Sequence, residues 1–113
     1  MGKLNQDFTT WKGNYRRIDF YIEDVSSVTG GTASWIMAAD ATSAALITKT
    51  VAGGGIGLTG KTVSVYLLPA DTDDSSGIAD GIYYHELRLV DVVNQPSTPA
   101  IGEVTLLPVV LKT

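Results

Sequence analysis

The chain has no cysteine among its 113 residues. Disulfides, thiolate metal sites and thiol catalysis are therefore excluded, and the composition suits a reducing compartment or assembly outside cells without covalent staples. Histidine is nearly absent as well. His85 stands alone, so a structural zinc site of imidazoles and thiolates has no ligand set. Eight Lys and Arg face twelve Asp and Glu, for a formal charge of −4. That balance argues against nucleic acid held through its phosphates and against an anionic membrane surface. No stretch reaches the run of about 18 apolar residues that a membrane helix needs. The opening "MGKLNQDFTTWKGN" has no apolar core for a signal peptide, and Gln6 stands where myristoylation of Gly2 would want Ser or Thr. The expectation is a soluble, unprocessed domain spanning residues 1–113, with neither a nucleic acid nor a membrane as partner.

What the chain does have is alternation and turns. In "NYRRIDFYIED", Ile18, Phe20 and Ile22 share one face while Arg17, Asp19, Tyr21 and Glu23 share the other, the period of a half-buried strand. "FTTW" before it reads as a short strand closed by a Lys-Gly-Asn turn. "TASWIMAA" groups Ala33, Trp35 and Met37, "ALITKTV" follows, and "TVSVYLL" groups Val63, Val65 and Leu67. "GIYYHELRLVDV" then groups Tyr83, His85, Leu87 and Leu89, and "GEVTLLPVVL" closes the series. "AGGGIGLTGK" is glycine-dense and reads as a loop or irregular hairpin end. "NQPSTPAIG" carries two prolines and reads as a loop or edge connection. Seven short strands punctuated by turns predict an antiparallel β-sandwich. The predicted core holds Ile18, Phe20, Ile22, Trp35, Val63, Val65, Tyr83, Leu87, Leu89, Val104 and Leu106. One short helical turn is predicted near 71–79, capped by Asp71 or Thr72.

Three stretches carry residues of catalytic or ligating type. In "ADTDDSSGIAD", an EF-hand loop starting at Asp71 would place Ser76 where glycine is required and Ile82 where a bidentate Glu is required. The pattern fails at both positions. A calcium site of another kind stays open, but a solvated connection into a strand accounts for the same residues. A glycosidase pair would need an apolar pocket to raise one carboxyl's pKa, and nothing adjacent supplies it. Gly55 to Thr62 matches the letters of a phosphate loop, yet "TVSVYLL" after it is a strand former rather than a helix. A glycine-rich hairpin end fits better. His85 alternates with Tyr83, Leu87 and Leu89, as a packed histidine does, and no Gly-x-Ser-x-Gly elbow accompanies it. No catalytic, metal-ligating or cofactor-binding residue is assigned.

Several stretches, taken in order, resemble small structural proteins of tailed phages and prophages. These are "WKGNYRRIDFYIED", "VTGGTASWIM", "IGEVTLLP" and above all "GKTVSVYLLPADTDDSSGIADGIYYHELRLVD". The carrying positions are Asp71, Thr72, Gly81, Tyr83, Leu87, Leu89, Asp91, Gly102, Val104 and Pro108. The chain is similar to the immunoglobulin-like N-terminal domain of phage baseplate upper proteins. It departs from their pattern at His85, where they have a second aromatic, and in the length of "VVNQPSTPAIG", which could form a contact arm. The resemblance implies an immunoglobulin-like sandwich with no enzymatic role. It also implies a virion component made in the bacterial cytoplasm, tail or baseplate associated, whose partners are other virion proteins and copies of itself. The alternative is a module recognising carbohydrate or a host surface through exposed tyrosines.

One local feature points to assembly independently. In "VTLLPVVL", Val104, Leu106 and Val110 line one face while Leu107, Val109 and Leu111 line the other. A sandwich strand should expose one of these. Either a partner subunit covers the second face or edge, or the chain's own N-terminal segment does. Leu107, Val109 and Leu111, with the outward Tyr21 and Tyr66, are the candidate interface.

Overall fold

The computed structural model describes residues 4–22, 28–73, 76–90 and 96–108. Among them, nine strands form two sheets. The strands are β1 (Leu4–Asn5), β2 (Phe8–Trp11), β3 (Arg16–Tyr21), β4 (Thr32–Ala38), β5 (Ala45–Thr50), β6 (Ile56–Thr59), β7 (Thr62–Leu67), β8 (Gly81–Val90) and β9 (Pro96–Leu107), with one helical turn, α1 (Pro69–Thr72). The larger sheet runs β1-β9-β8-β4-β5, with β2 also on the edge of β9. The smaller runs β3-β7-β6.

Period-two patterning explains how the sheets meet. Ile18 lies opposite Val65 and Phe20 opposite Val63, so β3 and β7 present one apolar face. From the larger sheet, Ala33, Trp35 and Met37 pair in register with Leu89, Leu87 and His85. Val104 and Leu106 continue that face on β9, and all of these apolar residues belong to one buried cluster. Every expected core residue is buried except Tyr83, which packs against the cluster half-exposed. The reason is its hydroxyl, which donates to the Ala79 carbonyl at 2.6 Å and so holds the ring at the rim. A tyrosine at the start of the sixth strand of an immunoglobulin sandwich, bonded back to its own corner, is a hallmark of that fold. The strand orders agree: β3-β7-β6 matches B-E-D, and β9-β8-β4-β5 matches G-F-C-C′.

Four expectations change. The sandwich is not wholly antiparallel, because β1 and β2 pair parallel with β9. Parallel pairing needs a crossover, and here the intervening sandwich serves as one. Ile56–Thr59, read as a loop or irregular hairpin end, is a regular strand forming a hairpin with β7, because Ile56 is buried and Leu58 packs against the core. The two-proline stretch is not a loop either, since β9 begins at Pro96. Its register against β8 shifts between Leu87↔Ala100 and Leu89↔Ser97, which leaves Thr98 and Pro99 opposite Arg88. Such a bulge tolerates proline's missing N–H. Finally, the helical turn starts two residues early. Pro69 opens it with its φ already fixed. Asp71, placed inside the turn rather than before it, accepts the Leu68 N–H at 2.7 Å. Asp74 and Asp91 lie outside the described residues, as does the first part (92–95) of the stretch expected to form a contact arm; the rest of it, from Pro96, is β9 paired with β8.

Candidate functional site

The acidic stretch is occupied by structural bonds. Besides Leu68 N–H, the Asp71 carboxylate holds Lys49 Nζ at 2.6 Å, with only 12% of the lysine side chain and 23% of the aspartate side chain accessible. This pair ties β5 of one sheet to the connection leaving β7 of the other. Thr72 is buried, and its hydroxyl accepts the Gly13 N–H at 2.9 Å. Asp80 is exposed before β8. Among the described residues, no three His, Asp or Glu side chains converge as a metal ligand set. Gly60-Lys61, from the phosphate-loop match, is a two-residue hairpin turn between the paired Thr59 and Thr62. Gly60 takes a φ of 59° there, a conformation open to glycine and costly for most other residues.

His85 sits at the centre of the core and is wholly buried. Trp35 Nε1–H donates to its Nδ1 at 3.1 Å, and its Nε2 meets the Gln6 carbonyl oxygen. The indole N–H can only donate and the carbonyl can only accept. The ring is therefore neutral, with its proton on Nε2. Burial pushes its pKa below the ordinary 6.5, against the opposing pull of the Gln6 bond and the Asp7 charge. Phe8 meets the imidazole edge-on at 5.1 Å between centroids, with Phe20 at 6.1 Å and Trp35 at 5.9 Å. His85 stands two residues after the corner tyrosine, where antibody domains carry the second cysteine of their inter-sheet disulfide, with the strand-C tryptophan against it. Here no covalent link joins the sheets at that position: His85 and Trp35 are hydrogen-bonded within the larger sheet, and Phe20 of β3, from the smaller one, packs on the imidazole. Its two nitrogens are committed, so His85 is not available as an acid or base to a substrate in solvent.

The outer face of the larger sheet carries exposed apolar side chains. Trp11 lies opposite Leu107 across the β2–β9 pair. One step along, Thr9, Thr105 and Ile82 form a row across three strands. Residues two apart on a strand share a face about 7 Å apart, so Trp11, Leu107 and Ile82 make one apolar patch at that end. Trp11 is 43% exposed and Ile82 63%. Along β8 the same face turns polar: Tyr84 donates to Glu86 Oε1 at 2.7 Å, and Arg88 approaches Glu86 at 3.7 Å. Burial, reinforced by the Glu86 bond and charge, pushes the Tyr84 hydroxyl up to about 12.

Of the five candidate interface residues, the three described ones, Leu107, Tyr21 and Tyr66, do not come together. Leu107 is half-buried on this face, and the β9 edge beside it is taken by the chain's own β2. Tyr21 and Tyr66 lie on the opposite outer face of the sandwich. Their cross-strand partners are Thr62 and Arg17, which puts them four residues apart along the strands, about 13 Å. Tyr21 is exposed, whereas Tyr66 is half-buried, its hydroxyl folded over Gly57 so that an added Cβ there would lie 2.7 Å away. Val109 and Leu111 lie outside the described residues. Trp11 and Ile82 were not among the candidate interface residues. The signal was parity: each is out of phase with the inward Phe8 and Thr10, or Tyr83 and His85, on its own strand. Comparison with known proteins finds no matching family model and no matching curated relative.

Proposed function

We propose that the protein is a structural component of a phage or prophage virion, tail or baseplate associated, working through protein–protein contacts rather than chemistry. The observation that carries this reading is the Trp11–Leu107–Ile82 patch on an otherwise flat sheet face. Aromatic and aliphatic side chains exposed together on a rigid sheet suit burial against another subunit. The resemblance of the strand and turn stretches to phage structural domains supplies the biological setting. The commitment of His85, Asp71 and Thr72 to internal bonds supports a non-catalytic role. Repetition of one contact between copies, or between this chain and a neighbouring virion protein, is how such a domain would act.

The test is direct. Phage particles purified from the strain encoding the chain should contain it in a fixed copy number per particle, by quantitative mass spectrometry. Its absence from intact particles, with the protein present in the producing cells, would contradict the proposal.

A further inference from the structure

The segment bearing β1 and β2 meets the larger sheet along one edge only. It pairs at Leu4–Asn5 with Ala100–Ile101 and at Phe8–Trp11 with Val104–Leu107. Between these stretches, Gln6 and Asp7 cross over Gly102. Gln6 N–H donates to Ile101 O at 2.8 Å, and Glu103 N–H donates to Asp7 Oδ1 at 2.8 Å. The crossing needs glycine beneath it: a Cβ on Gly102 would lie 2.5 Å from the Gln6 carbonyl oxygen. That same carbonyl turns inward to His85 Nε2.

We infer that residues 4–11 form an acid-released strap, latched to the core by His85 through the Gln6 carbonyl. A second proton on the imidazole must go to Nδ1, where the Trp35 N–H already points. Two donors then face each other inside an apolar cluster, and the charge has no water. The cost is relieved by opening whichever wall of the His85 site is held least. On β3, β4 and β9 that site is walled by Phe20, Trp35, Met37 and Gly102, which carry no charge. The strap is the remaining wall, and its two parallel stretches are two and four residues long. Two charged groups bear on the latch. Asp7 lies on the crossing and favours the imidazolium. Arg16 of β3 stacks over the Phe8 ring at 5.5 Å. Because burial lowers the closed form's pKa, release sets in as pH falls below the ordinary histidine value, and Asp7, which favours the imidazolium in the closed form, limits it. Release would also carry away Trp11, one of the three residues of the patch proposed above as a contact surface. That consequence rests on the proposed function; the latch itself does not.

Amide hydrogen exchange on the isolated chain tests the latch without any partner, so it succeeds or fails independently of the virion reading. Protection factors, corrected for intrinsic exchange, would be followed from pH 7.5 to 5.0 for Gln6 and β2, with β7 as internal reference. Strap protection should lie below that of β7 and fall by about tenfold for each pH unit below the exposed-histidine value of about 6.5, until the closed form itself titrates. It should be insensitive to low urea, as a local opening is, whereas β7 exchanges through urea-sensitive global unfolding. The ring nitrogen NMR shifts of His85 should change only at pH below the onset of release. Asp7→Asn keeps the Oδ1 acceptor but removes the charge that favours the imidazolium in the closed form, so the drop in strap protection from pH 7.5 to 5.0 should be larger than in the parent. Strap protection that is constant with pH, that matches β7 in size and urea dependence, or whose acid drop is not enlarged by Asp7→Asn would overturn the inference.

Discussion

Consecutive residues of β8 belong to two different environments. Tyr83, His85, Leu87 and Leu89 point inward and meet the core, while Ile82, Tyr84, Glu86 and Arg88 point out onto the sheet face. The inner set is fixed by packing and by bonds without alternatives: Tyr83 to Ala79, His85 to Trp35 and Gln6. Among the described residues, the outer set is tied to itself through Tyr84–Glu86 and Glu86–Arg88. One face of the strand specifies the fold, and the other is open to a second molecule. Substitutions on the inner face should therefore change stability, and those on the outer face should change association alone.

The largest effect expected is on the inner face. Leu87→Ala leaves a cavity beside Trp35 and should cost about 2–5 kcal/mol in urea unfolding. Gly102→Ala should cost about 1–3 kcal/mol, because the new methyl meets backbone at Gln6 rather than a side chain that can move. Acidification follows. The folded-state pKa of His85 is lowered, so between that value and the unfolded 6.5 the unfolded chain binds more protons. Stability is then full above about pH 6.5 and declines as pH falls below it, which a series of unfolding midpoints should show. Tyr83→Phe removes one rim hydrogen bond and should cost about 0.5–1.5 kcal/mol. Ile82→Asp, one position away, should stay within about 0.5 kcal/mol of the parent. An equal loss at Ile82 and Leu87 would erase the distinction between the faces.

The inward face was legible from alternation alone, because a strand buried on one side must repeat every second residue. That rule placed Phe20, Trp35, Leu87 and Leu106 in the core correctly. It misjudged Tyr83, since alternation says which way a side chain points but not that its hydroxyl will seek a carbonyl at the rim. Proline and glycine misled more. Pro96 and Pro99 suggested a loop because the bulge that accommodates them is a property of the pairing with β8, not of the local sequence. Ile56 and Leu58 were hidden by the glycines around them. Parallel pairing of the first strands with the last joins residues about 100 positions apart, which local pattern does not encode. The outer-face patch was half visible, through Leu107. Trp11 and Ile82 join it only once the register of β2, β9 and β8 is known.

The central claim is that the outer face of the larger sheet is a contact surface. Molar mass by light scattering across micromolar concentrations, on the parent chain and on Ile82→Asp, tests it most directly. The account predicts a mass above 12.0 kDa that rises with concentration for the parent and stays at the monomer value for Ile82→Asp, with unfolding midpoints matched. A parent that is monomeric throughout, or an Ile82→Asp variant that associates equally well, would contradict it.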